Sequence, residues 1–244
     1  MKYLLTVKGR WDLLTRARQS PLLGFDFDGT LAPIVDDPEQ AAMRAHTEEL
    51  FHQVARRFSC VVLSGRGRED VCARLKGAPV REVFGNHGLE PFHISEGLLQ
   101  RVHSWRDVLV QRLSGWRDVW VEDKGYSLSV HYRDPEAHLA LQGELASVLT
   151  DPAQARIVTG KRVFNLMPCG DVHKGSAFIE ALGRSGCENA IYVGDDKTDE
   201  DVFETNDPAR VMGVHVGDNS RSAAAYHLRT QDEIDELLEL LLHA

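Results

Sequence analysis

Short apolar runs recur along the chain, and each ends in a polar turn that carries glycine. Leu22-Leu23-Gly24-Phe25 runs into Asp26-Phe27-Asp28-Gly29-Thr30, and Cys60-Val61-Val62-Leu63 into Ser64-Gly65-Arg66-Gly67. Ala190-Ile191-Tyr192-Val193 runs into Gly194-Asp195-Asp196, and Arg210-Val211-Met212-Gly213-Val214 ends near Gly217-Asp218. Unbroken apolar runs suit strands buried on both faces of a parallel sheet. Helical stripes lie between and after them: Leu50, Val54 and Phe58; Phe178, Ala181 and Leu182; Ile234, Leu237, Leu238, Leu241 and Leu242. Strand-helix alternation predicts an α/β fold with a doubly wound parallel sheet, whose ligands bind at the carboxyl ends of the strands.

The middle of the chain has a different rhythm. In Ser127-Leu128-Ser129-Val130-His131-Tyr132, the apolar residues share one face and the polar ones the other, as in a half-buried antiparallel strand. Glu122 and Lys124 share a face of the preceding strand, opposite Val121 and Asp123. Stripes at Trp105, Val108 and Leu109, and at Leu141, Leu145 and Val148, predict two helices. Trp105, Trp116 and Trp120 are expected in the core of this region. So long a stretch is too large for a connection. We expect an inserted α+β cap domain over residues 91–168, within a core made of residues 1–90 and 169–244. The first twenty residues are expected to add a helix packed on that core.

Composition narrows the partners. The chain has 244 residues, 37 acidic and 28 basic, for a net charge of −9. That balance argues against a general nucleic-acid or anionic-membrane binder, though a pocket with a few Lys and Arg can still take an anion. The four cysteines are far apart and form no CxxC pair, as expected of reduced thiols. No apolar run approaches the ~20 residues of a membrane span. The expectation is a cytoplasmic monomer that acts on a small molecule.

Four clusters carry chemistry. Asp26 and Asp28 are two residues apart at a strand end, so their carboxylates project to one side. Like charges this close call for a cation or a shared proton, which suits a divalent metal or a nucleophile beside an acid/base; a plain Asx turn is the alternative. Gly194-Asp195-Asp196-Lys197-Thr198-Asp199-Glu200-Asp201 is a second acidic cluster at another strand end. Its acids suit a metal, or in part a helix N-terminus. Two such clusters on one sheet edge favour the metal, and oxygen-only donors favour Mg2+. Ser64-Gly65-Arg66 offers a hydroxyl, backbone amides and a guanidinium to phosphate oxygens. Lys174 opens a helix, where a cation opposes the dipole and wants an anion nearby.

In that chain order, carboxylate pair, hydroxyl, lysine and acid cluster resemble the haloacid-dehalogenase superfamily of aspartate-nucleophile phosphatases. Within it the chain resembles the trehalose-phosphatase family. The likeness rests on Asp26 to Ile34, Ser64-Gly65-Arg66, Gly85-Asn86-His87-Gly88-Leu89-Glu90, Glu122-Asp123-Lys124-Gly125, His131-Tyr132-Arg133 and Gly194 to Asp201.

The resemblance implies Asp26 as nucleophile and Asp28 as acid/base, with Ser64 and Lys174 on the phosphoryl oxygens. It implies Mg2+ held by Asp26, the main-chain carbonyl of Asp28, and Asp195, with Asp196 and Asp199 orienting metal waters or Lys174. It implies sugar-phosphate contacts from Arg66, Asn86, His87, Gly88, Glu122, Lys124, Ser129, His131, Arg133 and Asn165. Asn165 stands where the family often has Glu, Met167 where it often has a basic residue, and Asn86 where Ser is commoner. These departures bear on the sugar, not on phosphoryl chemistry. Other readings are a phosphatase of glucosyl or mannosyl phosphoglycerate or of sucrose 6-phosphate, a receiver-type phospho-Asp domain, and a catalytically silent sugar-phosphate-binding regulator.

Overall fold

The apolar runs pair into one parallel sheet. In the computed structural model, which describes residues 1–92, 96–149, 155–160, 162–170, 172–205, 207 and 209–244, the chain forms two units. One joins Met1–Pro91 to Val172–Ala244, and the other is Phe92–Asp171.

The first unit opens with strand β1 (Lys2–Tyr3) and helix α1 (Val7–Ala17), followed by β2 (Leu22–Phe25), α2 (Ala45–Arg57), β3 (Cys60–Leu63), α3 (Arg68–Arg74) and β4 (Glu82–Phe84). The second unit contributes α4 (Glu96–Leu113), β5 (Val119–Asp123), β6 (Leu128–Tyr132), α5 (Ala137–Val148), β7 (Ala155–Gly160) and β8 (Val163–Pro168). The chain then returns to the first unit with α6 (Lys174–Ser185), β9 (Ala190–Gly194), α7 (Glu200–Thr205), β10 (Val211–Val216), β11 (Tyr226–Leu228) and α8 (Ile234–Leu242).

The large sheet has the order β1-β11-β10-β9-β2-β3-β4, with every pairing parallel. Its central strands β2, β3, β9 and β10 are buried at every position, which is why they read as unbroken apolar runs. Helix α8 buries Ile234, Leu237, Leu238 and Leu241, the stripe expected of it. Three strands escaped the pattern: β1, β4 and β11 have two or three residues, too few for a period to appear. The start of the chain holds both β1 and a helix, and Thr6 caps that helix by accepting from the Gly9 N–H at 3.1 Å. Phe58 falls just past α2, where its N–H still bonds the Val54 carbonyl at 2.8 Å.

The second unit is an antiparallel sheet in the order β5-β6-β8-β7. Leu128, Val130, Tyr132, Phe164 and Leu166 meet Trp105 and Leu109 of α4 and Leu141 and Leu145 of α5 in a separate core. The register sets Trp120 beside His131, Glu122 beside Ser129, and Ser129 beside Asn165. These residues share the other, polar face. Trp120 is therefore not a core residue as expected: it is 45% exposed and stacks on His131 at 4.9 Å. No described helix is long and apolar enough to cross a membrane.

Packing under the sheet is close enough to forbid a methyl group. A Cβ on Gly24 would lie 2.4 Å from Phe178 Cε2 and 2.6 Å from Tyr192 Cδ2. Both rings are fully buried and packed on each other. Overpacking of this kind costs about 1–3 kcal/mol. Gly24→Ala should lower the urea midpoint accordingly with the slope unchanged, as read by equilibrium unfolding.

Candidate active site

Strand register assembles the site. Phe25 is paired with Val62 on one side and Val193 on the other. The residues that follow each strand, Asp26, Ser64 and the Gly194-Asp195 turn, therefore emerge along one edge of the large sheet. The Asp26 N–H bonds the Val193 carbonyl at 2.9 Å, so the nucleophile candidate still has strand geometry. Gly29 takes φ +83° and makes the turn that follows. A Cβ there would lie 2.0 Å from Asp195 Oδ2, so only glycine leaves room for that carboxylate.

Lys174 is the centre of the constellation. Ser176 satisfies the amide N–H of His173 at the start of α6, and the next residue sends its ammonium inward. The side chain is 1% exposed, with Nζ 3.0 Å from Asp26 Oδ2, 2.9 Å from Asp199 Oδ1 and 4.0 Å from Asp196 Oδ1. Burial works to discharge this lysine, but Asp199, Asp26 and Asp196 outweigh it and hold the ammonium firmly charged. Asp171, three residues before Lys174, lies outside the described residues.

Asp199 is saturated. It accepts from Lys174 Nζ, from Tyr192 Oη at 2.7 Å, and from the amides of Asp195 at 2.9 Å and Asp196 at 3.0 Å. Gly194 makes this possible, because a Cβ there would sit 2.2 Å from the Asp199 carboxyl carbon. Asp196 turns to its own backbone, accepting from Thr198 N–H at 2.7 Å and Thr198 Oγ1 at 2.6 Å. Burial pushes its carboxyl up, but Lys174 and the Thr198 donors prevail and bring it to about 2.

Asp26 and Asp195 are different. Asp26 Oδ1 accepts from the Phe27 amide at 2.7 Å, and Asp195 Oδ1 has a long contact of 3.3 Å with Thr30 Oγ1. Burial first, and then the neighbouring carboxylates, push both well above the ordinary range, with Lys174 opposing. One oxygen from each of Asp26, Asp195 and Asp199 lies within 4.8 Å of the others. One lysine does not balance this much buried negative charge, whereas a divalent cation would. An oxygen-only donor set fits a hard cation. The donors already on Asp199 leave Asp26 and Asp195 as the side chains to hold it.

Ser64 is fully buried, and its Oγ accepts from the Arg66 N–H at 3.1 Å, which leaves its own hydrogen to donate. His87 is 5% exposed and lies beneath this loop. Its N–H bonds the Ser64 carbonyl at 2.8 Å, and a Cβ on Gly65 would meet its ring at 2.5 Å. Asn86 and His87 both take positive φ, +49° and +57°, and Gly88 follows at +99°. Gly88 leaves room for His173, whose carbonyl carbon would be 2.9 Å from a Cβ. Arg66, expected at the substrate, is engaged by protein partners. Its guanidinium donates to Asp28 from Nε at 2.6 Å and Nη2 at 2.8 Å, and also to Asp70 and to the Pro38 carbonyl. Four such bonds leave little of a five-donor group for substrate.

In the second unit, Glu122 Oε2 meets His131 Nε2 at 2.7 Å and Lys124 Nζ at 3.9 Å. Ser129 Oγ donates to Asn165 Oδ1 at 2.6 Å. Arg133 places its guanidinium carbon 6.0 Å from the Trp120 ring centre. An open groove of about 470 Å³ in the first unit is lined mostly by acidic residues, among them Asp235 and Glu236, with Arg10 paired to Glu236.

A family model described as trehalose-phosphatase matches residues 24–232. The chain belongs to the trehalose-phosphatase family. A Zea mays relative named trehalose 6-phosphate phosphatase RA3 is 30% identical over 94% of this chain and 72% of its own length. A Mycobacterium marinum trehalose-phosphate phosphatase is 34% identical over 91% of this chain and 60% of its own. The solved C-terminal domain of a trehalose-6-phosphate phosphatase from C. albicans has the same fold, with a TM-score of 0.77 at 22% identity and 96% coverage of both chains. The matched span contains every trehalose-phosphatase motif named above, from Asp26 to Asp201.

Sequence reasoning missed Tyr192, which sits inside an apolar strand run and looked like core. It also missed the partners of Arg66. Lys174→Met should destabilise the metal-free protein by about 3–5 kcal/mol at neutral pH, because it leaves Asp26 and Asp199 buried without their cation. Equilibrium unfolding in EDTA measures this directly.

Proposed function

We propose that this protein hydrolyses trehalose 6-phosphate to trehalose and inorganic phosphate, with Mg2+ as its metal. The observation that carries the reading is the Asp26 carboxylate, buried at a strand end with the Lys174 ammonium 3.0 Å away, in a chain of this family. An oxygen of Asp26 attacks phosphorus and the bond to the sugar oxygen breaks, so that one hard displacement becomes two easier ones. Asp28 gives its proton to the leaving sugar oxygen. It then takes a proton from the water that attacks phosphorus and frees Asp26. Lys174 and the Ser64 hydroxyl bind phosphoryl oxygens and meet the charge that builds on them. Asp26, Asp195 and the main-chain carbonyl of Asp28 would hold Mg2+, which supplies Lewis-acid charge neutralisation when bound. Asp199 and Tyr192 keep Lys174 in place, and Asp196 shapes the turn beneath Asp195.

Sugar selection falls to the polar face of the second unit. Glu122, Lys124, Ser129, His131, Arg133 and Asn165 offer donors and acceptors suited to many hydroxyls, and Asn86, His87 and Gly88 line the loop beside Ser64. Other glycosyl phosphates remain as outcomes of the test.

Phosphate release is to be measured on trehalose 6-phosphate, glucose 6-phosphate, sucrose 6-phosphate and glucosyl phosphoglycerate, with Mg2+ and with EDTA. Selective, Mg2+-dependent turnover of trehalose 6-phosphate is expected. Preference for another sugar would keep the Asp26 chemistry and replace the substrate. Asp26→Asn should lower turnover on the order of a thousandfold or more without unfolding the protein. Lys124→Ala should damage the sugar phosphate far more than a simple aryl phosphate, and equal losses on both would remove Lys124 from sugar recognition.

A further inference from the structure

Arg66 holds both oxygens of Asp28, and Arg66 is itself held. Its Nε and Nη2 form the fork onto Asp28 at 2.6 and 2.8 Å. Nη1 donates to Asp70 Oδ2 at 2.9 Å, and Nη2 also reaches the Pro38 carbonyl at 2.8 Å. The other oxygen of Asp70 accepts from Arg74 Nε at 2.8 Å. Arg74 Nη1 then ties back to the carbonyls of Glu39 at 3.1 Å and Ala41 at 2.5 Å. The series runs from Asp28 through two arginines and one aspartate to main chain a dozen residues downstream of where it began. Arg66 and Arg74 are largely covered, their side chains 13% and 12% exposed.

Helix α3 explains the spacing. Asp70 and Arg74 are four apart on one face, and Arg66 precedes the helix by two residues. Exposed i,i+4 pairs add little to stability. A network this directional, ending on a reacting carboxylate, is better suited to placing a group than to holding a helix. A bidentate fork fixes the plane and the position of a carboxylate. It does so only if the guanidinium cannot swing.

We propose that Asp70 and Arg74 are positioning residues for proton transfer, clamping Arg66 so that Asp28 stays aligned with the leaving oxygen and then with the attacking water. This rests on the reading of Asp28 as acid and base. In the first step the Asp26–phosphorus bond forms, the bond from phosphorus to the leaving oxygen breaks, and the Asp28 proton ends on that oxygen. In the second, the water–phosphorus bond forms, the Asp26–phosphorus bond breaks, and a water proton ends on Asp28. A misplaced Asp28 harms both steps with a sugar leaving group. With a p-nitrophenyl leaving group, which departs without a proton, it harms only the second.

The test is rapid mixing of the Mg2+-loaded full chain with p-nitrophenyl phosphate and, separately, with trehalose 6-phosphate. Asp70→Ala should give a nitrophenolate burst near one per enzyme, then a steady rate about tenfold or more below wild type. On the sugar phosphate kcat should fall about as far, with KM within about twofold. Arg74→Gln, which releases the far oxygen of Asp70, should give the same pattern more weakly, and it reports even if Asp70→Ala folds poorly. Equal slowing of burst and steady phases, or wild-type kinetics in both variants, overturns the clamp. A wild-type chain that turns over neither substrate overturns the phosphatase reading, and the clamp with it.

Discussion

A lysine ammonium sealed from water must be surrounded by negative charge, and the arrangement around Lys174 follows from that requirement. The ammonium sits 2.9 Å from Asp199 and 3.0 Å from Asp26, and it is 1% exposed. Asp199 is its closest partner, and two main-chain amides and Tyr192 fill the rest of that carboxylate. Asp26 is then the partner with capacity to spare, and Asp195 beside it is pushed well above the ordinary carboxylate range by burial and by Asp199 and Asp196. The surplus is what makes the cluster a place for a divalent cation. Buried ion pairs seldom add net stability; here the arrangement keeps the Asp26 carboxylate next to a fixed positive charge.

The backbone serves the same requirement. Parallel register brings Asp26, Ser64 and Asp195 to one sheet edge, since β3 and β9 flank β2 with Phe25 as the shared reference. Glycine occupies the positions where a side chain would displace a carboxylate: Gly29 against Asp195 and Gly194 against Asp199. The loop of Asn86, His87 and Gly88 is tied to Ser64 by one main-chain hydrogen bond, and Gly65 leaves room for the His87 ring. Away from this edge the same strands are plain apolar core. Chemistry and stability are thus segregated along each strand, as open α/β sheets allow.

Much of this was legible in the sequence because strand burial and charge repulsion leave marks on composition. Four apolar runs marked β2, β3, β9 and β10, and two carboxylate clusters at their ends marked the place where Asp26, Asp195 and Asp199 come together. What could not be read has physical reasons. Strands β1, β4 and β11 are too short to show a period. Trp120 lies in the apolar run Val119-Trp120-Val121, so its aromatic body argued for core although alternation sets it on the face of Glu122, where the pairing with β6 places it. Tyr192 has the apolar body of a core residue, and only its hydroxyl, bonded to Asp199, gives it a part in the site. The partners of Arg66 come from three separate segments, the turn carrying Asp28, the segment around Pro38 and helix α3, which nothing local links.

The most direct measurement of the central claim is acid-quench mass spectrometry of the wild-type protein during turnover of a sugar phosphate with Mg2+. The account predicts a phosphoryl adduct on the peptide carrying Asp26, located at that residue, appearing and decaying within the turnover time. An adduct on Asp28, or full turnover with no phosphorylated enzyme at any quench time, would contradict it.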